Sequence, residues 1–119
     1  MMNPELYNGT ELTLCDHRTE RLWVSVRARI EEGKLTVEGQ DLGDVPKEWF
    51  GSDEFEYFYN FDESSTEKLF QLLSGGQEDP VAELRRRFSG MDGCRNLTTF
   101  CKENGIRYQY FSWVSDSED

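Results

Sequence analysis

The stretch that decides the fold runs Arg21-Leu22-Trp23-Val24-Ser25-Val26-Arg27-Ala28-Arg29-Ile30-Glu31-Glu32-Gly33-Lys34-Leu35-Thr36-Val37-Glu38. Leu22, Val24, Val26, Ala28 and Ile30 alternate with Trp23, Ser25, Arg27 and Arg29. Side chains on an extended chain point to opposite faces in turn, so period two predicts a strand with one apolar and one polar face. Glu31-Glu32-Gly33-Lys34 reads as a turn, with Gly33 taking the positive φ of a bulged hairpin loop. Leu35-Thr36-Val37-Glu38 returns as the partner strand, with Leu35 and Val37 inward.

Outward from this hairpin, Thr10–Cys15 is an earlier strand with Leu12 and Leu14 inward, followed by a loop at Asp16-His17-Arg18-Thr19-Glu20. On the other side, residues 39–52 read as a loop because Gly39, Gly43, Pro46 and Gly51 punctuate them. A short helical turn fits Pro46–Phe50, since proline suits the first turn of a helix. Glu54–Phe61 is the next strand. Phe55, Tyr57, Tyr59 and Phe61 share one face, and Glu54, Glu56, Phe58 and Asn60 the other.

The period then changes. Ser64-Ser65-Thr66-Glu67 spells a capping box. Leu69, Phe70, Leu72 and Leu73 follow at helical spacing, and Gly75-Gly76 ends the helix. Asp79-Pro80 starts a second helix, with Val81, Leu84 and Phe88 on one face. A third spans about Gly93 to Asn104, with Cys94, Leu97, Phe100 and Cys101 as its stripe and Gly105 as its stop. Ile106–Val114 is a last strand, and 115–119 a frayed acidic tail. Strands in a block, then helices, predict an α+β fold. Its antiparallel sheet has about five strands, with about three helices packed on one face. With 119 residues and no long linker, the chain is expected to be a single domain over 1–119.

Composition narrows function. Twenty-four Asp and Glu against 13 Lys and Arg give a net charge of −11. That argues against direct nucleic-acid binding, which rests on neutralising phosphates with cations, and against an anionic membrane surface. No apolar run approaches the ~20 residues of a membrane helix, and Met1–Glu5 lacks the features of a signal peptide. A cytoplasmic setting is expected, with Cys15, Cys94 and Cys101 as free, buried thiols. Three cysteines without a CxxC pair, and one histidine (His17), do not make a structural metal site. No cofactor is expected.

The charge is uneven. Residues 41–67 carry nine acids against one base, a net −8, whereas residues 68–115 are net +2. The acidic block is interleaved with aromatic rings. Acids that steer an encounter, beside rings that supply contact area, fit a basic protein partner. The partner-binding residues are then Asp41, Asp44, Trp49, Phe50, Asp53, Glu54, Glu56 and Phe58. A solubilising acidic face is the plainer alternative. Trp23, Arg27 and Arg29 form a second surface, unless the arginines merely pair across the hairpin with Glu38 or Glu31. Arg85-Arg86-Arg87 suits a helix C-terminus, with Glu83 as its partner.

Catalytic motifs are lacking. Glu54 and Glu56 stand ~7 Å apart on one strand face, as glycosidase carboxylates do, but such a pair needs one acid buried to raise its pKa. Asp41, Asp44 and Asp53 are too scattered for a calcium loop. His17 has only Cys15 as a nearby thiol. The reading is non-enzymatic. Two alternatives stand beside it: a small-molecule or minor enzymatic site lined by Tyr57, Tyr59, Tyr108 and Tyr110, and an oligomeric scaffold.

Two stretches carry a resemblance. Gly39-Gln40-Asp41-Leu42-Gly43 with Glu54–Asp62 and the helix through Leu73 is one. Asp92-Gly93-Cys94, with Phe100–Ile106 and Ser112-Trp113, is the other. Together they resemble small acidic bacterial proteins of unknown function. In size, acidity and aromatic content the chain is also similar to the immunity proteins of bacterial toxin systems. That likeness implies an inhibitor of a basic toxin.

Overall fold

The alternation at 22–38 forms the hairpin on which everything else is laid. In the computed structural model, which describes residues 3–75 and 79–114, β2 (Trp23–Glu31) pairs antiparallel with β3 (Lys34–Leu42). Glu31 faces Lys34, leaving a two-residue loop in which Glu32 and Gly33 both have positive φ, 54° and 73°. This is a type I′ turn rather than the expected bulged loop, and its twist matches that of the strands. Val24, Val26, Ala28, Ile30, Leu35 and Val37 are buried on one face.

β1 (Glu11–Arg18) runs further than expected and takes in the predicted loop at 16–18. A bulge between Thr13 and Cys15 is the reason. It turns two consecutive residues, Leu14 and Cys15, inward, then restores the pairing so that Asp16 and Arg18 lie opposite Ser25 and Trp23. β3 likewise continues through Gly39 to Leu42, where a loop was expected. The glycine signal there marks a close approach: a Cβ on Gly39 would sit 2.0 Å from the Tyr57 ring.

β4 (Glu54–Asn60) pairs with β3, and β5 (Gln109–Val114) with β4. The sheet is an antiparallel meander in the order β1-β2-β3-β4-β5. Ile106, expected in the last strand, instead lies before it and is buried. Among the described residues four α-helices accompany the sheet, one more than expected, because α1 (Asp44–Phe50) is a full two turns. α2 (Glu63–Ser74) starts on Asp62, whose carboxylate accepts the Ser65 N–H at 2.8 Å. The cap is therefore Asp62 and not Ser64, and the anionic cap is held below the ordinary carboxylate range by that bond. Asp79 caps α3 (Pro80–Phe88), and Gly105 ends α4 (Gly93–Asn104) with φ 65°. Gly76 and the 115–119 tail lie outside the described residues.

Leu69, Phe70 and Leu73 of α2, Leu84 and Phe88 of α3, and Leu97 and Cys101 of α4 close on the apolar face of β1–β3 as one cluster. Leu72, counted in the α2 stripe, is exposed. Thr66 ties the layers together. Fully buried, its hydroxyl accepts the Leu35 N–H at 3.0 Å and donates to the Asp62 carbonyl at 2.8 Å. These helices lie on one side, so among the described residues no element covers the opposite face of the sheet.

Candidate functional site

Period two fixes what the open face displays. Directly paired residues share a face, so the register sets Glu56 beside Trp113, Phe58 beside Phe111, Glu38 beside Phe58 and Gln40 beside Glu56. None of these is buried. Phe58 and Phe111 stack with centroids 4.7 Å apart. Glu54, Glu56 and Glu38 crowd around them. Glu54 accepts a hydrogen bond from Gln40 Nε2, and Glu38 pairs with Arg29. Glu56 has no ion pair among the described residues. Its carboxyl is raised above the ordinary range, first by partial desolvation and then by the charges of Glu54 and Glu38. Like charges held together on an open surface create a negative potential that an incoming cation relieves.

The predicted partner-binding residues divide between the two faces. Glu54, Glu56 and Phe58 are on the open face. Asp53 is exposed in the turn before β4. Asp41 is on the helix side, half-buried, where it accepts the Tyr57 hydroxyl at 3.2 Å; burial raises its carboxyl. Trp49 and Phe50 are also on the helix side, as the exposed end of α1, with Phe50 stacked on Phe55 at 4.4 Å. They border a 200 Å³ recess with Leu22, Val45 and Pro46. The acids there are answered: Arg21 pairs with Asp44 at 3.8 Å and with Glu48. Among the described residues Glu54 and Glu56 of β4 have no ion pair, and neither has Asp53 beside them or the half-buried Asp41.

The second surface is also on the open face, at the β1–β2 end, and its groups are paired among themselves. Trp23 Nε1 donates to Asp16 at 2.8 Å, and the Arg18 guanidinium lies 4.0 Å over the indole. Arg27 meets Glu11 at 3.0 Å. Arg29 reaches Glu38 diagonally across the hairpin. In α3, Glu83 binds Arg86 and Arg87 at 2.7 and 3.1 Å, which pulls its carboxyl down to about 2.

Phe111 and Trp113 belong to the candidate site and were not in the predicted set. Their signal is the alternation Gln109-Tyr110-Phe111-Ser112-Trp113-Val114, which acquires a face only through the β4–β5 register. The four tyrosines form a ladder on the helix side. Tyr59 contacts Tyr57, Tyr108 and Tyr110 with centroids 6.3, 5.7 and 5.0 Å away, so the rings fill space against one another. Burial pushes the Tyr57 and Tyr59 phenols up and Cys94, beneath them, to about 11. These groups are neutral at pH 7, which leaves them without an ionised nucleophile. Cys15 and Cys101 are buried free thiols, and Cys94 is half-buried.

Among the described residues, no three His, Cys, Asp or Glu side chains gather where a metal ion could sit. No helix among them is long and apolar enough to cross a membrane. The chain matches no model of a known protein family, no curated protein and no solved structure.

Proposed function

We propose that the chain is a non-enzymatic binding protein that engages a basic protein partner through the open face of its sheet, as an immunity or inhibitor protein does. The observation that carries this reading is the juxtaposition of Glu54 and Glu56, which have no ion pair among the described residues, with the half-buried Phe58 stacked on the exposed Phe111 and with the exposed Trp113. Acids purely for solubility gain nothing from being crowded, since repulsion among them lowers stability. Rings on an open face gain nothing by themselves, since burying them is what is favourable. Both costs are recovered when a cationic surface with an apolar centre docks. Cations then meet Glu54, Glu56 and the exposed Asp53, while the rings are covered.

The test is capture of partners from the native host with wild type, the Glu54→Lys/Glu56→Lys variant and Phe58→Ala. The reading expects a basic protein that elutes with salt, is lost with the charge-reversed variant and is retained weakly by Phe58→Ala. An absent partner, or one that charge reversal does not disturb, overturns it.

A further inference from the structure

The two edges of the sheet differ in a way that points to a second interface. β1 is defended against strand pairing. It carries Glu11, Asp16 and Arg18 and is bent by the Thr13/Cys15 bulge. The Leu14 carbonyl is already taken by the Gly90 N–H at 2.8 Å. Charge, bulges and cover are the usual means by which an edge is kept from pairing. β5 has none of them. Its six residues Gln109–Val114 contain no charge, no proline and no bulge, and all six are exposed. Tyr110, Phe111, Trp113 and Val114 keep 49, 48, 47 and 41% of their surface. One side of the strand is hydrogen-bonded to β4, and the other presents a regular row of backbone donors and acceptors.

We propose that β5 pairs antiparallel with β5 of a second copy of this chain, about a two-fold axis through Ser112 normal to the sheet. Such an axis keeps each face on its own side, so only registers that pair odd with odd and even with even residues are allowed. The register centred on Ser112 sets Phe111 against Trp113 of the second copy on the open face. On the helix side it sets Tyr110 against Val114, and Ser112 against itself. Both kinds of apolar pair are favourable neighbours across strands. The charges agree with self-association here: the chain as a whole is net −11, but Gln109–Val114 carries no charge, so two copies meet at β5 without ionic repulsion along the strand. The dimer joins two five-stranded sheets edge to edge. It leaves Glu54 and Glu56 uncovered and shares Phe111 and Trp113 with the proposed partner face, so the two readings are separated by testing the isolated protein.

The test is sedimentation equilibrium of the isolated protein from micromolar to millimolar concentration. Wild type is expected to dimerise. Ser112→Lys and Ser112→Asp each place like charges opposite one another at the axis, and each is expected to weaken the dimer about fivefold or more. An equimolar mixture of the two pairs Lys with Asp and is expected to recover association. Thermal melts check that the variants fold, since Ser112 is exposed. A wild type that stays monomeric, single variants that dimerise as wild type does, or a mixture that fails to recover overturns the proposal. None of these outcomes touches the capture of a basic partner, which is read separately.

Discussion

Replacing Gly39 with alanine tests the packing that holds the middle of the sheet. The added Cβ would lie 2.0 Å from Tyr57 Cε2, 2.1 Å from Cζ and 2.5 Å from the hydroxyl oxygen. No such contact is tolerated, so the ring must leave. It then gives up its hydrogen bond to Asp41 and its packing between Phe55 and Tyr59, with centroids 5.7 and 6.3 Å away. Overpacking costs about 1–3 kcal/mol, and the lost hydrogen bond about 1 kcal/mol. Against this, alanine is better than glycine in a strand by about 0.5–1 kcal/mol. The net is a destabilisation of about 1–3 kcal/mol. With a urea m-value of about 2 kcal/mol/M, the unfolding midpoint falls by about 1 M. On a Tyr57→Ala background the obstacle is gone, and Gly39→Ala should become neutral or stabilising. The two substitutions therefore couple by about 1 kcal/mol or more. If Gly39→Ala alone leaves the midpoint unchanged or raises it, the ring does not lie over Gly39, and the reasoning fails.

Three further outcomes follow from buried or crowded polar groups. Thr66→Val leaves the Leu35 N–H buried without its acceptor and should cost about 1–3 kcal/mol in a denaturant titration. Asp41 has its carboxyl raised above the ordinary 3.8, so the fold holds that proton to higher pH than the unfolded chain does. Its ionisation therefore opposes folding as pH rises through the folded value. Asp41→Asn, which keeps an acceptor for Tyr57, should stabilise at pH 7 with a gain that vanishes below about pH 3.8 in melts across pH. Glu56→Gln should behave with the same sign relative to 4.5, because Glu54 and Glu38 oppose its charge. A neutral-pH loss of stability would contradict that.

Where period and capping chemistry are local, the fold was legible. The 22–38 hairpin, the faces of 54–61, the Asp79-Pro80 start and the Gly105 stop all came from residues that decide their own conformation. The structure departs from the local signal where tertiary contact overrides it. Gly39 reads as a loop until Tyr57 is seen to occupy the space of its missing side chain. The bulge at Leu14–Cys15 carries Asp16 and Arg18 into a strand that their polarity alone would end. Ser64 spells a cap, but Asp62 stands two residues earlier with a stronger acceptor. The candidate site was legible in part for the same reason. Alternation placed Glu54, Glu56 and Phe58 together, because neighbours on a strand keep their face. It could not show that Asp41, Trp49 and Phe50 fall on the helix side. Nor could it show that Phe111 and Trp113, about fifty residues on, complete the site, since only strand order and register do that.

Charge on the open face of β4 is proposed to guide a basic partner. The most direct measurement is the association rate of the captured partner as a function of ionic strength, for wild type and for Glu54→Gln/Glu56→Gln. The rate for wild type is expected to fall steeply with salt, and the variant to associate more slowly with a shallower dependence. Superimposable salt dependences for the two proteins would contradict it.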